Sequence, residues 1–296
     1  MIVDVHTHLP THQNKVPESE MVTEEMMRSG KSVNLTNSVD DYMKEMAVVD
    51  KAILFGIAPR PGKENMGELF GAGKGWDTKL NHNDVASIIS KKFPEKIVPF
   101  MSLHPKDPHW NLEYDRCLGD LGIKGIKLGP NYQDFDPNSP ESYKLFSRLQ
   151  DDNIPVIFHQ GTSPMADAPL SFSHPLTTDK VAIAFPKLKI ILAHLGHPWQ
   201  TDCLAVVRKH KNVWADVSAQ FHRPYSFWQG MRLFYEWACT QKILFASDWP
   251  VTNPSESISG LRNLPKFARD HNLPEIPEEE IEHIINRDSL SILEIS

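Results

Sequence analysis

Short apolar runs bounded by turn residues recur along the chain, and between most of them lies a stretch whose apolar positions repeat with helical period. The runs over residues 2–5, 51–57, 97–103, 125–128, 155–159, 190–194, 213–217 and 243–246 predict eight strands. The intervening periodicity predicts helices over 39–49, 83–92, 111–118, 142–151, 179–184, 201–210, 225–240 and 255–268, with a last helix over 278–293 packed outside. Most strand runs are apolar almost throughout, as strands covered on both faces must be. Eight such βα units predict an α/β protein, a (β/α)8 TIM barrel forming one domain over residues 1–296 with an extra C-terminal helix. An open doubly wound sheet is the alternative.

Two connections are long, residues 9–37 and 58–80, and the second carries Gly62, Gly67, Gly71, Gly73 and Gly75. In a barrel both project from the C-terminal face, where they can form a lid or a subunit contact; disorder is the other reading.

Composition narrows the function classes. A chain of 296 residues suits a fold that commonly takes about 250, and 40% hydrophobic with 23% charged residues is ordinary for a globular protein. A net charge of −7 and a pI near 6.0, with no clustered Lys or Arg, argue against nucleic acid as a partner. Cys117, Cys203 and Cys239 are odd in number and widely spaced, which predicts reduced, buried thiols rather than disulfides or a thiolate zinc site. The opening residues lack a basic start and apolar stretch, and no run of 18 apolar residues occurs, so the expectation is a cytoplasmic protein without membrane contact.

Polar residues follow the apolar runs in a pattern. His6 and His8, in Asp4-Val5-His6-Thr7-His8, lie two apart on one strand and therefore on one face, spaced to chelate one divalent ion. His159, His194 and Asp248 follow the fifth, sixth and eighth runs, at the barrel end where active sites sit.

This ordered set resembles the amidohydrolase superfamily: Asp-Val-His-Thr-His, then Gly-Ile-Lys-Leu, Phe-His-Gln-Gly, Ala-His-Leu-Gly and Ala-Ser-Asp-Trp-Pro. It is most similar to the amidohydrolase-related branch that contains aminocarboxymuconate-semialdehyde decarboxylase, aromatic-acid decarboxylases and lactonases. The resemblance implies one divalent metal, zinc with manganese as the alternative, held by His6, His8, His159 and Asp248. It also implies that His194 and Asp248 act in catalysis. Binuclear relatives use a carbamylated lysine on the fourth strand, so Lys127 is either a bridging ligand or, the preferred reading, a residue that salt-bridges or holds an anionic substrate.

Arg60, His104, His174, His197 and Trp249 join Lys127 as candidate substrate-binding residues. Arg60 either grips a carboxylate bidentately or is a solvated loop arginine, His104 and His174 either face the pocket or lie at the surface, and His197 is either a pocket wall or support for His194. The leading functional expectation is a hydrolase attacking a small ester, lactone or amide with metal-activated water. The alternative is a metal-dependent carboxy-lyase of a small unsaturated or aromatic acid, and a non-catalytic metal-binding barrel is a third reading. The expected partner is a small molecule, with a carboxylate as the favoured feature. A homodimer is the assembly considered, with Trp228, Phe234 and Trp237 either supplying its interface or packing in the core.

Overall fold

Eight parallel strands pair in chain order: β1 (Val3–His8), β2 (Lys51–Phe55), β3 (Ile97–Met101), β4 (Gly125–Leu128), β5 (Val156–Phe158), β6 (Ile190–Leu192), β7 (Val213–Asp216) and β8 (Ile243–Leu244). The computed structural model that defines them describes residues 1–25, 27–28, 30–61, 73–163 and 165–295. Main-chain hydrogen bonds close the ring, with Val5 N donating to Phe245 O at 3.1 Å and Asp248 N to His6 O at 2.9 Å. The fold is the expected (β/α)8 barrel. One apolar layer, including Ala52, Leu54, Ile126, Val156, Phe158 and Val213, faces the helices. A second, including Val3, Val5, Ile53, Phe55, Phe100, Ile157 and Ile191, fills the barrel interior.

β1 carries the feature that makes the site. Asp4 pairs with Ala52 and Thr7 with Leu54, so three steps along β1 match two along β2. The extra residue reverses the alternation of side chains. Val3 and Val5 fill the interior below it, and His6 and His8 rest against the same interior Phe55, both at 5.1 Å between ring centroids. Thr7, which unbroken alternation would send inward, donates instead to Ile53 O at 2.6 Å and meets Tyr42 Oη at 2.8 Å.

The helices are α1 (Val39–Glu45), α2 (His82–Lys92), α3 (Trp110–Gly119), α4 (Pro140–Asp151), α5 (Leu176–Ala184), α6 (Gln200–Lys209), α7 (Pro224–Glu236), α8 (Pro254–Arg262), α9 (Leu264–Asp270), α10 (Glu278–Ile285) and α11 (Ser289–Leu293). Starts follow capping chemistry: Ser139 accepts from Ser142 N, Asn253 from Glu256 N, and proline follows each cap. The single helix expected over 255–268 is two, broken at Asn263 just before Pro265, whose ring cannot continue the first. The helix expected over 278–293 is also two. Only α10 packs outside; Asp288 caps α11, which delivers Leu293 to the interior layer and plugs the N-terminal end of the barrel.

The excursion over 9–37 has structure of its own, a short antiparallel ribbon pairing Thr23–Glu24 with Val33–Asn34. Arg28 anchors it bidentately on Glu256, at 2.9 and 3.0 Å. Gly73 and Gly75 press on it: a Cβ on Gly75 would lie 2.3 Å from the His12 ring. Gly62, Gly67 and Gly71 lie outside the described residues. The three cysteines are free and buried. Of the three aromatics, Trp228 and Phe234 take the core-packing alternative, and Trp237 is exposed. No helix among the described residues is long and apolar enough to cross a membrane.

α2 and α3 are tied by Glu113, which accepts from Asn81, Asn83 and Arg116 at 2.7–3.0 Å. Burial opposes its ionisation, but these donors win and hold the carboxyl down to about 2, against an ordinary 4.5. A depressed folded value stabilises the fold above about pH 4.5, and that contribution drains away as pH falls towards 2. Glu113→Gln is expected to flatten this part of the acid limb in urea unfolding measured across pH 5 to 2; an unchanged limb would refute the assignment.

Candidate metal centre and cavity

At the C-terminal end of the barrel, Asp216 at the end of β7 organises two histidines. Its Oδ2 accepts from His6 Nδ1 at 2.9 Å, and its Oδ1 accepts from the main-chain nitrogens of His194 and Ser218, both at 3.0 Å, and from Ser218 Oγ. Burial penalises the charge of Asp216, yet His6 and these donors outweigh it and keep the carboxyl well below its usual range. With the His6 proton fixed on Nδ1, the Nε2 lone pair points into the site. Ser218 Oγ also meets His194 Nδ1 at 2.7 Å. Sequence reading missed Asp216; an ionisable residue inside a buried strand, which needs partners, was the available signal.

Asp248 is placed by backbone pinning. Its φ of 70° turns the chain out of β8, and its N–H is held by His6 O. Its Oδ1 lies 3.2 Å from both His6 Nε2 and His8 Nε2. Burial opposes its charge, but His194, the adjoining His6 imidazole and a hydrogen bond from His8 hold the carboxyl far below the usual range. Lys127, 1% exposed on β4, sets Nζ 3.1 Å from His6 Nε2 and over the Phe55 ring. Burial pulls its ammonium down to about 8, with Asp216 and Asp248 opposing the fall. Asp4 supports the same rim from beneath, accepting from His6 N and Ser247 N at 3.1 and 3.0 Å.

His194 does not end a strand as expected. β6 stops at Leu192, and the chain turns through φ of 60° at His194 and 50° at Leu195. That turn sets His194 Nε2 3.2 Å from His159 Nδ1. His159 stacks on Tyr132 at 4.3 Å and meets Thr162 O at 3.2 Å.

A cavity of about 310 Å³ opens over this cluster, lined by His8, Lys127, His159, His194, His197 and Asp248, by Gln220 and Arg223 from the segment after β7, and by Met27 of the first excursion. The structure thus brings His6, His8, His159, His194, Asp248 and Lys127 together. His197 joins them at the cavity wall, its Nδ1 3.2 Å from Gln200 Nε2. Four expectations fail on position. Arg60 is buried elsewhere, donating to Tyr132 O, Asn131 O and Asp167, so its guanidinium is spent on loop structure. His104 is bound to Gln133 O and Lys106 N. His174 lies outside the cavity against Trp199, with Nε2 3.5 Å from Asp202. Trp249 packs its ring on Tyr42. Gln220 and Arg223 were missed, because nothing in a loop sequence tells which side chain turns inward.

The donor set suits a divalent cation. Ligand atoms of His6, His8 and Asp248 lie within 4.8 Å of one another, as do those of His6, His194 and Asp216, and all are buried. Burial holds His8 and His194 down to about 4 and His159 well below its ordinary value, so these imidazoles are neutral at pH 7 with lone pairs available. Nitrogen and carboxylate donors without thiolate fit zinc or manganese.

A family model described as amidohydrolase matches residues 3–286. Over 219 residues the chain is 22% identical to gamma-resorcylate decarboxylase of Rhizobium radiobacter, covering 58% of this chain and 65% of that protein, under two thirds of the relative's length. Among solved structures, a dihydroxybenzoic acid decarboxylase of a Polaromonas species, with bound manganese and the inhibitor 2-nitroresorcinol, is similar at TM-score 0.63 and 15% identity, covering 99% of this chain and 96% of the other. A probable 2-pyrone-4,6-dicarboxylic acid hydrolase of Acinetobacter baumannii, with citric acid bound, is similar at TM-score 0.62 and 14% identity over 99% of both chains. At such identities the likeness to solved structures is one of fold.

Proposed function

We propose that this chain, which belongs to the amidohydrolase family, is a metal-dependent carboxy-lyase that removes carbon dioxide from a small unsaturated or aromatic acid. All 296 residues are taken as one catalytic barrel domain. The observation that carries the reading is the charge of the cavity. Lys127 and Arg223 line it, and its one acidic lining residue among the described residues, Asp248, is already committed to His6 and His8. Such a cavity selects an anion. The decarboxylase relative supports the same reading over the ester or lactone hydrolase that sequence analysis placed first.

His6, His8, His159 and Asp248 would hold one divalent ion, zinc or manganese, which supplies an electrophile that orients the acid. Lys127 offsets the charge of the substrate carboxylate. When the C–C bond breaks, carbon dioxide leaves, the electron pair stays on the carbon, and that carbon takes one proton. We assign to Asp248 and His194, both lining the cavity, the passage of that proton from solvent to it. Hydrolysis is the second reading, favoured by the shared fold of the probable pyrone-dicarboxylate hydrolase and open to the same donor set.

The test is elemental analysis of protein purified without chelator, followed by screens of aromatic and unsaturated acids for carbon dioxide and of lactones for acid release. The expected result is about one zinc or manganese per chain, carbon dioxide from an acid, and one solvent deuterium in the product formed in D2O. Acid from lactones with no carbon dioxide from any acid would transfer the assignment to hydrolysis.

A further inference from the structure

The segment leaving β7 presents two polar side chains to the cavity that the chain itself leaves unanswered. Ala219, at φ 53°, begins a turn in which Arg223 N donates to Gln220 O at 3.0 Å, so both side chains share one wall. Gln220 is 1% exposed. Its Nε2 faces Ser218 O at 3.4 Å, and because a carbonyl only accepts, the amide is fixed with its nitrogen there. Its Oε1 is buried without a hydrogen-bond partner among the described residues. A buried acceptor left unpaired is costly, and a ligand donor removes that cost.

Arg223 is half-buried, and its one side-chain hydrogen bond among the described residues runs from Nη1 to Ala219 O at 3.4 Å. Burial alone lowers its ionisation, with no acidic group offsetting it. Its titratable neighbours His197 and His222 are both held down to about 4, chiefly by burial and then by Arg223, so neither supplies negative charge. Lys127, by contrast, is under the fields of Asp216 and Asp248. The cavity therefore has two cationic ends: one on the histidine–aspartate cluster and one on the wall after β7.

We infer that Arg223 and Gln220 are specificity-determining residues that read the end of the substrate the reaction leaves intact: Arg223 binds a second anionic group, and Gln220 Oε1 accepts from a hydroxyl beside it. The substrate is accordingly a small dianionic acid bearing a hydroxyl, of single-ring size for a cavity of about 310 Å³. This rests on the carboxy-lyase reading and deepens it.

Calorimetric titration of the manganese-loaded enzyme with benzoate, isophthalate and 5-hydroxyisophthalate tests it. Isophthalate is expected to bind about tenfold or more tightly than benzoate, since a guanidinium–carboxylate pair in a half-buried wall is a charge-assisted contact. Arg223→Gln should abolish that preference while moving the benzoate Kd less than about twofold, and Arg223→Lys should keep part of it. The hydroxyl of 5-hydroxyisophthalate should tighten binding several-fold further, a gain lost in Gln220→Leu. Metal-dependent benzoate binding with no preference for isophthalate, or equal weakening of both acids by Arg223→Gln, would overturn this inference alone. Benzoate binding unchanged by chelator would overturn the carboxy-lyase reading and this inference with it.

Discussion

Asp248→Asn is expected to lower turnover about a thousandfold or more while the barrel still folds. The asparagine amide matches the carboxylate in shape, and asparagine is among the residues that tolerate a φ of 70° best, so the turn out of β8 and its hydrogen bond to His6 O survive. What disappears is the charge. His6 Nε2 and His8 Nε2 lose the anion that lies 3.2 Å from each, and the cavity loses the carboxylate proposed to carry a proton. Steady-state kinetics, elemental analysis and thermal unfolding on one preparation separate the effects. A variant that melts like the parent but turns over within tenfold of it would remove Asp248 from the catalytic step.

The largest effect on stability is expected at Asp216. Asp216→Ala strips the acceptor from His6 Nδ1–H, from two main-chain N–H groups and from the Ser218 hydroxyl, all in a buried setting. Breaking a buried charged network from one side typically costs about 3–5 kcal/mol. Urea unfolding should register a loss of that order together with loss of bound metal. Asp216→Asn should cost less stability but still weaken metal binding about 10- to 100-fold, because an amide N–H turned toward His6 forces its proton onto Nε2, the nitrogen a metal needs. Native-like metal affinity in Asp216→Asn would show that the tautomer of His6 is set by something else.

Much of the barrel could be read from the chain because each βα unit writes its own period: the ranges 51–57, 97–103 and 125–128 each contain the strand found there. His6 and His8 were readable for a related reason, since two residues of one strand two positions apart must share a face. The remainder depends on the third dimension. Apolar Ala193 made β6 look longer than it is, while the left-handed turn at His194 is dictated by Asp216 Oδ1, a residue 22 positions away. Arg60 looked free because its partners, the Tyr132 and Asn131 carbonyls and Asp167, come from other βα units. Gln220 and Arg223 gave no periodic signal, being in a connection whose direction is set by one turn at Ala219.

The extra residue in β1 gives this protein an unusual genetic sensitivity. Below it the strand serves as filler for the barrel, and above it the same strand presents the two imidazoles of the candidate metal centre. Deleting one codon, that of Val5 or of His6, would restore plain alternation between Asp4 and Thr7 and leave one inward side chain between Val3 and His8, so either the Val5 filler or the His6 imidazole is lost. In a lineage drifting away from catalysis, a loss of one residue in the first strand therefore costs an interior filler or an imidazole, and a survey of relatives for lost activity should count residues there before it compares their identities.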